Sequence, residues 1–412
     1  MSSVSSVSSV SSVPLWPYHF ITNQIPFPDL KDLSTELQQR KAKHLYRSRR
    51  ISDGPQLPEM IIDGRQVTSF CSNDYLGLAN HPDVKAAFIQ GIEQYGAGSG
   101  AAHLINGHSR AHHALEDELA EFSGYPRALL FSTGYMANLG LAQALVGKGD
   151  TVLEDRLNHA SLLDGGLLSG ARLMRYRHNI AEDLDAKLTT RSSGEKLVLS
   201  DGVFSMDGDI AEVPALVNAC RKHDAWLMLD DAHGFGVLGD NGRGTLEHHG
   251  VSTADVPIYM ATLGKALGTA GAFIAGSDAL IETLIQQARP YIYTTASPPA
   301  VAEAARASLN MIKSQPDLRD RLNDNIRYFR SCCEQMDIGL TNSQTAIQPI
   351  IIGDTKSTLE ISEQLLTQGL LITAIRPPTV PEGTARLRIT LSAAHSHAHI
   401  DKLISTLDVI HQ

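Results

Sequence analysis

From Asn73 onward, short apolar runs alternate with longer amphipathic stretches. Ala128–Phe131, Thr151–Leu153, Leu197–Leu199, Trp226–Leu229 and Ile258–Met260 are almost continuously apolar, as strands buried on both faces must be. Between them, His112–Phe122, Met136–Leu145 and Val213–His223 space their apolar residues as helices do. This β/α alternation predicts a parallel or mixed sheet with helices on both faces. From about Pro316, helices and a strand pair, Ile347–Ile351 with Ala385–Thr390, predict a smaller α+β domain.

The N-terminus follows neither period. Residues 2–13 are four copies of Ser-Ser-Val, followed by Pro14, Pro17, Pro26 and Pro28, a composition with little to bury and predicted to be disordered. It has neither the basic nor the apolar region of a signal peptide, so a cytoplasmic location is expected. The pattern predicts a leader over 1–28, a helical segment over 29–72, a large α/β domain over 73–315 and a small domain over 316–412. Within the helical segment, Arg40, Lys41, Lys43, Arg47, Arg49 and Arg50 form either a solvated face or an anion-binding one.

Composition narrows the classes of function. With 45 acidic residues against 35 basic ones, and no long basic run, a nucleic-acid binder is disfavoured. No apolar run reaches the ~18–20 residues of a membrane span. Cys71, Cys220, Cys332 and Cys333 are too few and too irregular for a disulfide framework, and the adjacent pair is expected inside a helix. A small-molecule enzyme fits best.

In α/β sheets ligands gather at the carboxyl ends of strands, and the residues there are unusual. Trp226–Leu229 runs into Asp230, Asp231 and His233. Of the two carboxylates, Asp230 is expected to face the ligand and Asp231 the opposite side of the strand. Lys265 is the one charged residue between Asp255 and Asp278; a lysine in such apolar surroundings either snorkels to the surface or becomes an amine nucleophile suited to a Schiff base. Phe131-Ser-Thr-Gly134-Tyr135 leads from a strand into a helix whose free amides could hold phosphate. His159 and Ser205 each follow a further strand.

The order Gly134, His159, Ser205, Asp230, His233, Thr262, Lys265, together with Ser72-Asn-Asp-Tyr-Leu-Gly-Leu78, Gly202–Asp209 and Arg376-Pro-Pro-Thr379, resembles the α-oxoamine synthases. The Arg-Pro-Pro-Thr segment resembles the branch that serves biotin biosynthesis. The resemblance implies a fold-type I PLP-dependent transferase, with a mainly parallel seven-stranded sheet in the large domain, acting as a homodimer. It implies pyridoxal 5'-phosphate (PLP) carried by Lys265, Asp230 paired with the pyridine nitrogen, His159 stacked on the ring and His233 beside it. Gly134, Tyr135, Ser205 and Thr262 would bind the cofactor, Thr294 and Thr295 would reach its phosphate from a second subunit, and Arg47, Asn73, Arg376 and Thr379 would face the substrates. The implied reaction condenses L-alanine with a pimeloyl thioester, borne by CoA or acyl carrier protein, with loss of carbon dioxide. The alternatives are another α-oxoamine synthase, such as a glycine-using ligase or an aminolevulinate or sphingoid-type enzyme, and a catalytically silent homologue.

The chain departs from the family at Gly98-Ser-Gly-Ala-Ala-His103, where many members have an arginine. No metal is expected. His108, His112 and His113 offer an i, i+4 pair that no carboxylate or HExxH pattern is expected to complete into a metal site, and His248-His249 and His395, His397 and His399 are expected in loops or at the surface.

Overall fold

The computed structural model describes residues 32–191 and 193–411; the 1–28 leader lies outside them. Helix α1, Leu33–Ala42, starts where the Asp32 carboxylate accepts the Thr35 N–H at 3.0 Å, and none of its residues is buried. It belongs to a unit that ends at Arg47.

The second unit begins at Ser48, and here the expected helical segment gives way to strands. Ser52–Asp53 (β1), Glu59–Ile62 (β2) and Arg65–Ser69 (β3) pair antiparallel in sequence order. Along β2, Met60 and Ile62 are buried while Glu59 and Ile61 are exposed, the period of two that a half-buried strand requires. Asp63 and Gly64 both take positive φ, 50° and 75°, as the tight hairpin turn between right-twisted strands demands.

The central sheet contains Arg127–Phe131 (β4), Thr151–Asp155 (β5), Arg172–Tyr176 (β6), Lys196–Asp201 (β7), Trp226–Asp230 (β8), Ile258–Thr262 (β9) and Ala272–Gly276 (β10), in the order β4-β10-β9-β8-β7-β5-β6. Only β10 runs against its neighbours. Successive residues feed opposite cores: in β8, Leu227 and Leu229 join one cluster and Met228 the other. Both faces are therefore covered, by helices that include Pro82–Tyr95 (α2), Arg110–Ser123 (α3), Gly134–Leu145 (α4), Ala160–Leu168 (α5), Ala181–Thr189 (α6) and Val213–Lys222 (α7).

Near the C-terminus, Ile347–Gly353 and Ala385–Thr390 pair antiparallel as expected, with Thr373–Ile375 on the other side of the second strand. Cys332 and Cys333 lie in the helix Asp317–Gln335, and all four cysteines are free. Of the histidines expected in loops or at the surface, His395 is instead buried. It stacks on Phe70 with ring centroids 4.5 Å apart and meets the Ser69 carbonyl through Nε2 at 2.9 Å. Among the described residues, no helix is long and apolar enough to cross a membrane.

One histidine ties the sheet rim together. His178, just past β6, meets Asp155 at 2.9 Å through Nδ1 and Asp209 at 3.0 Å through Nε2. Burial alone would lower its pKa, but hydrogen bonds and charge from the two carboxylates outweigh it and raise the value to about 10. A raised folded-state pKa means that this stabilisation is complete below pH ~6.5 and is lost as pH climbs toward 10. His178→Gln is thus expected to lower the melting temperature at pH 6 and to flatten its decline between pH 6.5 and 10. Parallel decline in both proteins, followed by scanning calorimetry, would contradict this.

Candidate active site

Phe131, Asp155, Asp201, Asp230 and Thr262 are the last residues of parallel strands, so their side chains and the loops after them share one edge of the sheet. An open cavity of about 540 Å³ lies there, lined by Gly134, Tyr135, Asn138, His159, Ser161, Ser205, Asp230, His233, Thr262 and Lys265 among others. Eight of the predicted residues are thus brought to one place by five separate strand ends.

Asp230 sits on the Met228 face of β8, toward α4. Its Oδ2 accepts from Asn138 Nδ2 at 2.7 Å and its Oδ1 from the Ala232 N–H at 3.0 Å. Asp231 points the other way. It is fully buried, takes the Thr245 N–H at 2.6 Å and the Tyr259 hydroxyl at 2.8 Å, and also bonds the Thr245 hydroxyl. Burial raises its pKa to about 7 despite these donors.

Opposite Asp230, the Lys265 amine lies 2.8 Å from His233 Nε2, and the far side of that ring, Nδ1, is 2.5 Å from the Tyr75 hydroxyl. Burial drives the lysine down to about 8, opposed by Asp230 and Asp201 and reinforced by Arg388. Burial, with the charges of Lys265 and Arg388, pushes His233 well below the usual histidine range. A neutral imidazole has one N–H, so this ring donates to one neighbour and accepts from the other.

His159 caps α5, with Nδ1 2.7 Å from the Ser161 hydroxyl and its own N–H on Asp201 at 2.8 Å. Burial lowers its pKa, Asp230 raises it and Lys265 lowers it further. Gly134 and Tyr135 open α4 after the N-cap Thr133, which takes the Met136 N–H at 3.1 Å. The Gly134 and Tyr135 amides are therefore in the first turn, where backbone donors lack helical partners.

Other predicted residues lie apart from the cavity. Thr295 bridges to Ala102, and neither it nor Thr294 lines the cavity of its own chain. Arg376 and Thr379 share a turn in which the Thr379 N–H meets the Arg376 carbonyl at 3.1 Å. Arg47 belongs to the N-terminal unit. Asn73 does reach the site's edge, where its Oδ1 accepts from Arg388 at 3.3 Å.

Arg388 escaped the sequence reading. It is buried, donates through Nε to the Ser205 carbonyl at 2.6 Å, and its charge is felt by Tyr75, His233 and Lys265. The signal was present: Arg386 and Arg388 stand two apart, hence on one face, in a strand whose six residues are all buried. Asn138 and Ser161 were also missed, though each is a polar group on the buried face of an otherwise apolar helix.

A family model described as aminotransferase class I and II matches residues 65–407. An 8-amino-7-oxononanoate synthase from Thioalkalivibrio sulfidiphilus is 62% identical over 380 residues, which span 92% of this chain and 97% of that protein. The chain belongs to the 8-amino-7-oxononanoate synthase family. A solved member of this family, from Francisella tularensis, is 32% identical with a TM-score of 0.74, covering 84% of this chain and 97% of that one. A serine palmitoyltransferase from S. paucimobilis, solved with bound PLP and myriocin, is 33% identical with a TM-score of 0.87 over 92% of this chain and 96% of its own. The 8-amino-7-oxononanoate synthase family is thus distinguished here by sequence identity, while the backbone is shared more widely.

Proposed function

We infer that this chain uses PLP in the cavity at Lys265 to condense L-alanine with a pimeloyl thioester, releasing carbon dioxide and the thiol and forming 8-amino-7-oxononanoate for biotin biosynthesis. The observation that carries the reading is the buried amine of Lys265, poised near pH 8 between a neutral histidine and the carboxylates Asp230 and Asp201. The serine palmitoyltransferase backbone superposes well, but 62% identity against 33% favours the biotin-pathway substrates.

The donor set suits the cofactor. Asp230, held by Asn138 and the Ala232 N–H, offers a fixed carboxylate to a protonated pyridine nitrogen. The His159 ring supplies a flat face, the first turn of α4 supplies amides for a phosphate, and Ser205 and Thr262 add hydroxyls. Bound there, PLP supplies an electron sink for the pair released when the substrate Cα–H bond breaks. Lys265 would hold the cofactor through its amine and, when that amine is free, would take that proton. Asp230 keeps the ring nitrogen protonated throughout. His233, backed by Tyr75, keeps the lysine amine aimed into the cavity.

Arg388 is assigned to the amino acid carboxylate, because its buried guanidinium is bonded to the cavity residue Ser205 and its charge is felt by Lys265 and His233. Arg376 and Thr379 are assigned to the longer thioester substrate. The protein is proposed to be a cytoplasmic homodimer in which Thr294 and Thr295 complete the partner's phosphate site, since neither lines the cavity of its own chain.

Steady-state turnover of alanine, glycine and serine with pimeloyl-, acetyl- and palmitoyl-CoA tests the assignment, and sedimentation of the same preparation reads its oligomeric state. Alanine with pimeloyl-CoA should be preferred by a dimer. Preference for glycine with acetyl-CoA, or a fully active monomer, would overturn the corresponding part. In the same assay Arg388→Lys should raise the alanine KM by about 10–100-fold, because a point charge cannot replace a bidentate fork held on Asn73 and Ser205. Arg376→Lys should act chiefly on the thioester KM.

A further inference from the structure

We propose that His108, His113 and Glu116 form a binding site for a divalent transition-metal ion, best suited to zinc, at the junction of α3 with the turn that precedes it. His108 Nε2 lies 3.4 Å from His113 Nδ1 and 3.8 Å from Glu116 Oε2, and the three ligand atoms all fall within 4.8 Å of one another. A tetrahedral ion with bonds of ~2.0–2.1 Å separates its ligand atoms by about 3.3–3.4 Å, so small side-chain adjustments close the set. Two imidazoles and a carboxylate are ligands that zinc accepts, with the fourth position left to water.

What lifts this above a chance cluster is how two of the ligands are held by their other atom. Glu116 Oε1 accepts the Leu130 N–H of β4 at 2.9 Å, which leaves Oε2 facing the histidines. His108 Nδ1 is 3.1 Å from Nδ1 of the buried His103. His113 Nε2 lies 3.9 Å from Asp117 Oδ2, an ion-pair distance rather than a hydrogen bond. Neighbouring His112 is not a ligand. Its Nδ1 accepts the Ser109 N–H at 3.1 Å and its Nε2 meets the Ser297 carbonyl at 2.8 Å, so both nitrogens serve the fold. His113 is half exposed, which gives an ion a route in from solvent.

The site would cross-link three pieces of structure: the wide helical turn His103–Gly107 through His108, helix α3, and strand β4 through Glu116. The segment just before that turn carries the Ala102 bridge to Thr295 and the Ala101 carbonyl that takes the Ala296 N–H at 3.0 Å. A bound ion would therefore stiffen the support of the Thr294–Thr295 segment without entering the catalytic cavity.

The test uses full-length holoenzyme freed of metal with a chelator and titrated with zinc sulfate by calorimetry, with cobalt(II) absorbance as a second readout. One equivalent per chain is expected, with four-coordinate cobalt bands and a raised melting temperature. His113→Gln and Glu116→Gln, each checked for native circular dichroism, should weaken zinc binding by more than about 100-fold. Absence of binding to the wild-type chain would overturn the proposal. So would stoichiometric binding that survives both ligand substitutions, which would place the ion elsewhere.

Discussion

Lys265→Ala should abolish turnover, with a fall of more than about 10⁴-fold, in a protein that still folds. The amine is both the proposed attachment point for the cofactor and the proposed base, so its loss removes two functions at once. Its contribution to the fold is small, because the turn that bears it is held by backbone bonds: Leu263 N–H to the Gly271 carbonyl at 2.9 Å, Thr269 N–H to Leu263 at 3.0 Å and Gly268 N–H to Lys265 at 2.8 Å. Borohydride treatment of wild-type holoenzyme followed by peptide mapping should place the label on Lys265. Label recovered on another lysine, with Lys265→Ala still active, would refute the assignment.

The second large effect separates two adjacent carboxylates. Asp230→Asn should lower kcat by about 10²–10³-fold, the scale seen when a fixed charge aimed at the reacting system is removed, while the melting temperature stays close to wild type. Asp231→Asn should do the reverse. Its carboxylate accepts from Thr245 and Tyr259 in a dry interior, so replacing one acceptor oxygen by an amide is expected to destabilise by about 1–3 kcal/mol with activity per folded molecule retained. Thermal melts paired with kcat for both variants decide it, and an inactive, stable Asp231→Asn would show that the strand faces are assigned wrongly.

The two faces are legible in the amino-acid sequence itself, because a strand has a period of two and the run Trp226–Leu229 is long enough to fix its phase. The same logic locates five strands of the central sheet. It fails for β6, whose Arg172 and Arg175 interrupt the apolar run at a sheet edge, and for β10, whose buried apolar run Ala272–Ala275 is only four residues long and directly follows Gly271. It also fails at β2 and β3, where the Asp63-Gly64 hairpin signal is masked by the helical pattern upstream. The cavity residues that follow strands directly stand out. Asn138, Ser161 and Arg388 do not, since they reach the site from helix faces or from a strand more than a hundred residues later in sequence, and pairings of that range leave no local trace.

The same long reach has a consequence for the order in which the molecule is assembled. Gly268, at φ 65°, lies so close to the 78–79 backbone that a Cβ there would be 2.3 Å from the Ala79 nitrogen. The lysine-bearing turn thus settles directly on a segment synthesised much earlier, and Tyr75 of that segment is hydrogen-bonded to His233. Asn73, at its start, waits for Arg388. A ribosome must therefore release nearly the whole chain before the catalytic pocket can close around its arginine. Nascent chains stalled before the strand Ala385–Thr390 would hold every predicted cofactor group of their own subunit, yet lack Arg388, the guanidinium proposed to hold the amino acid carboxylate.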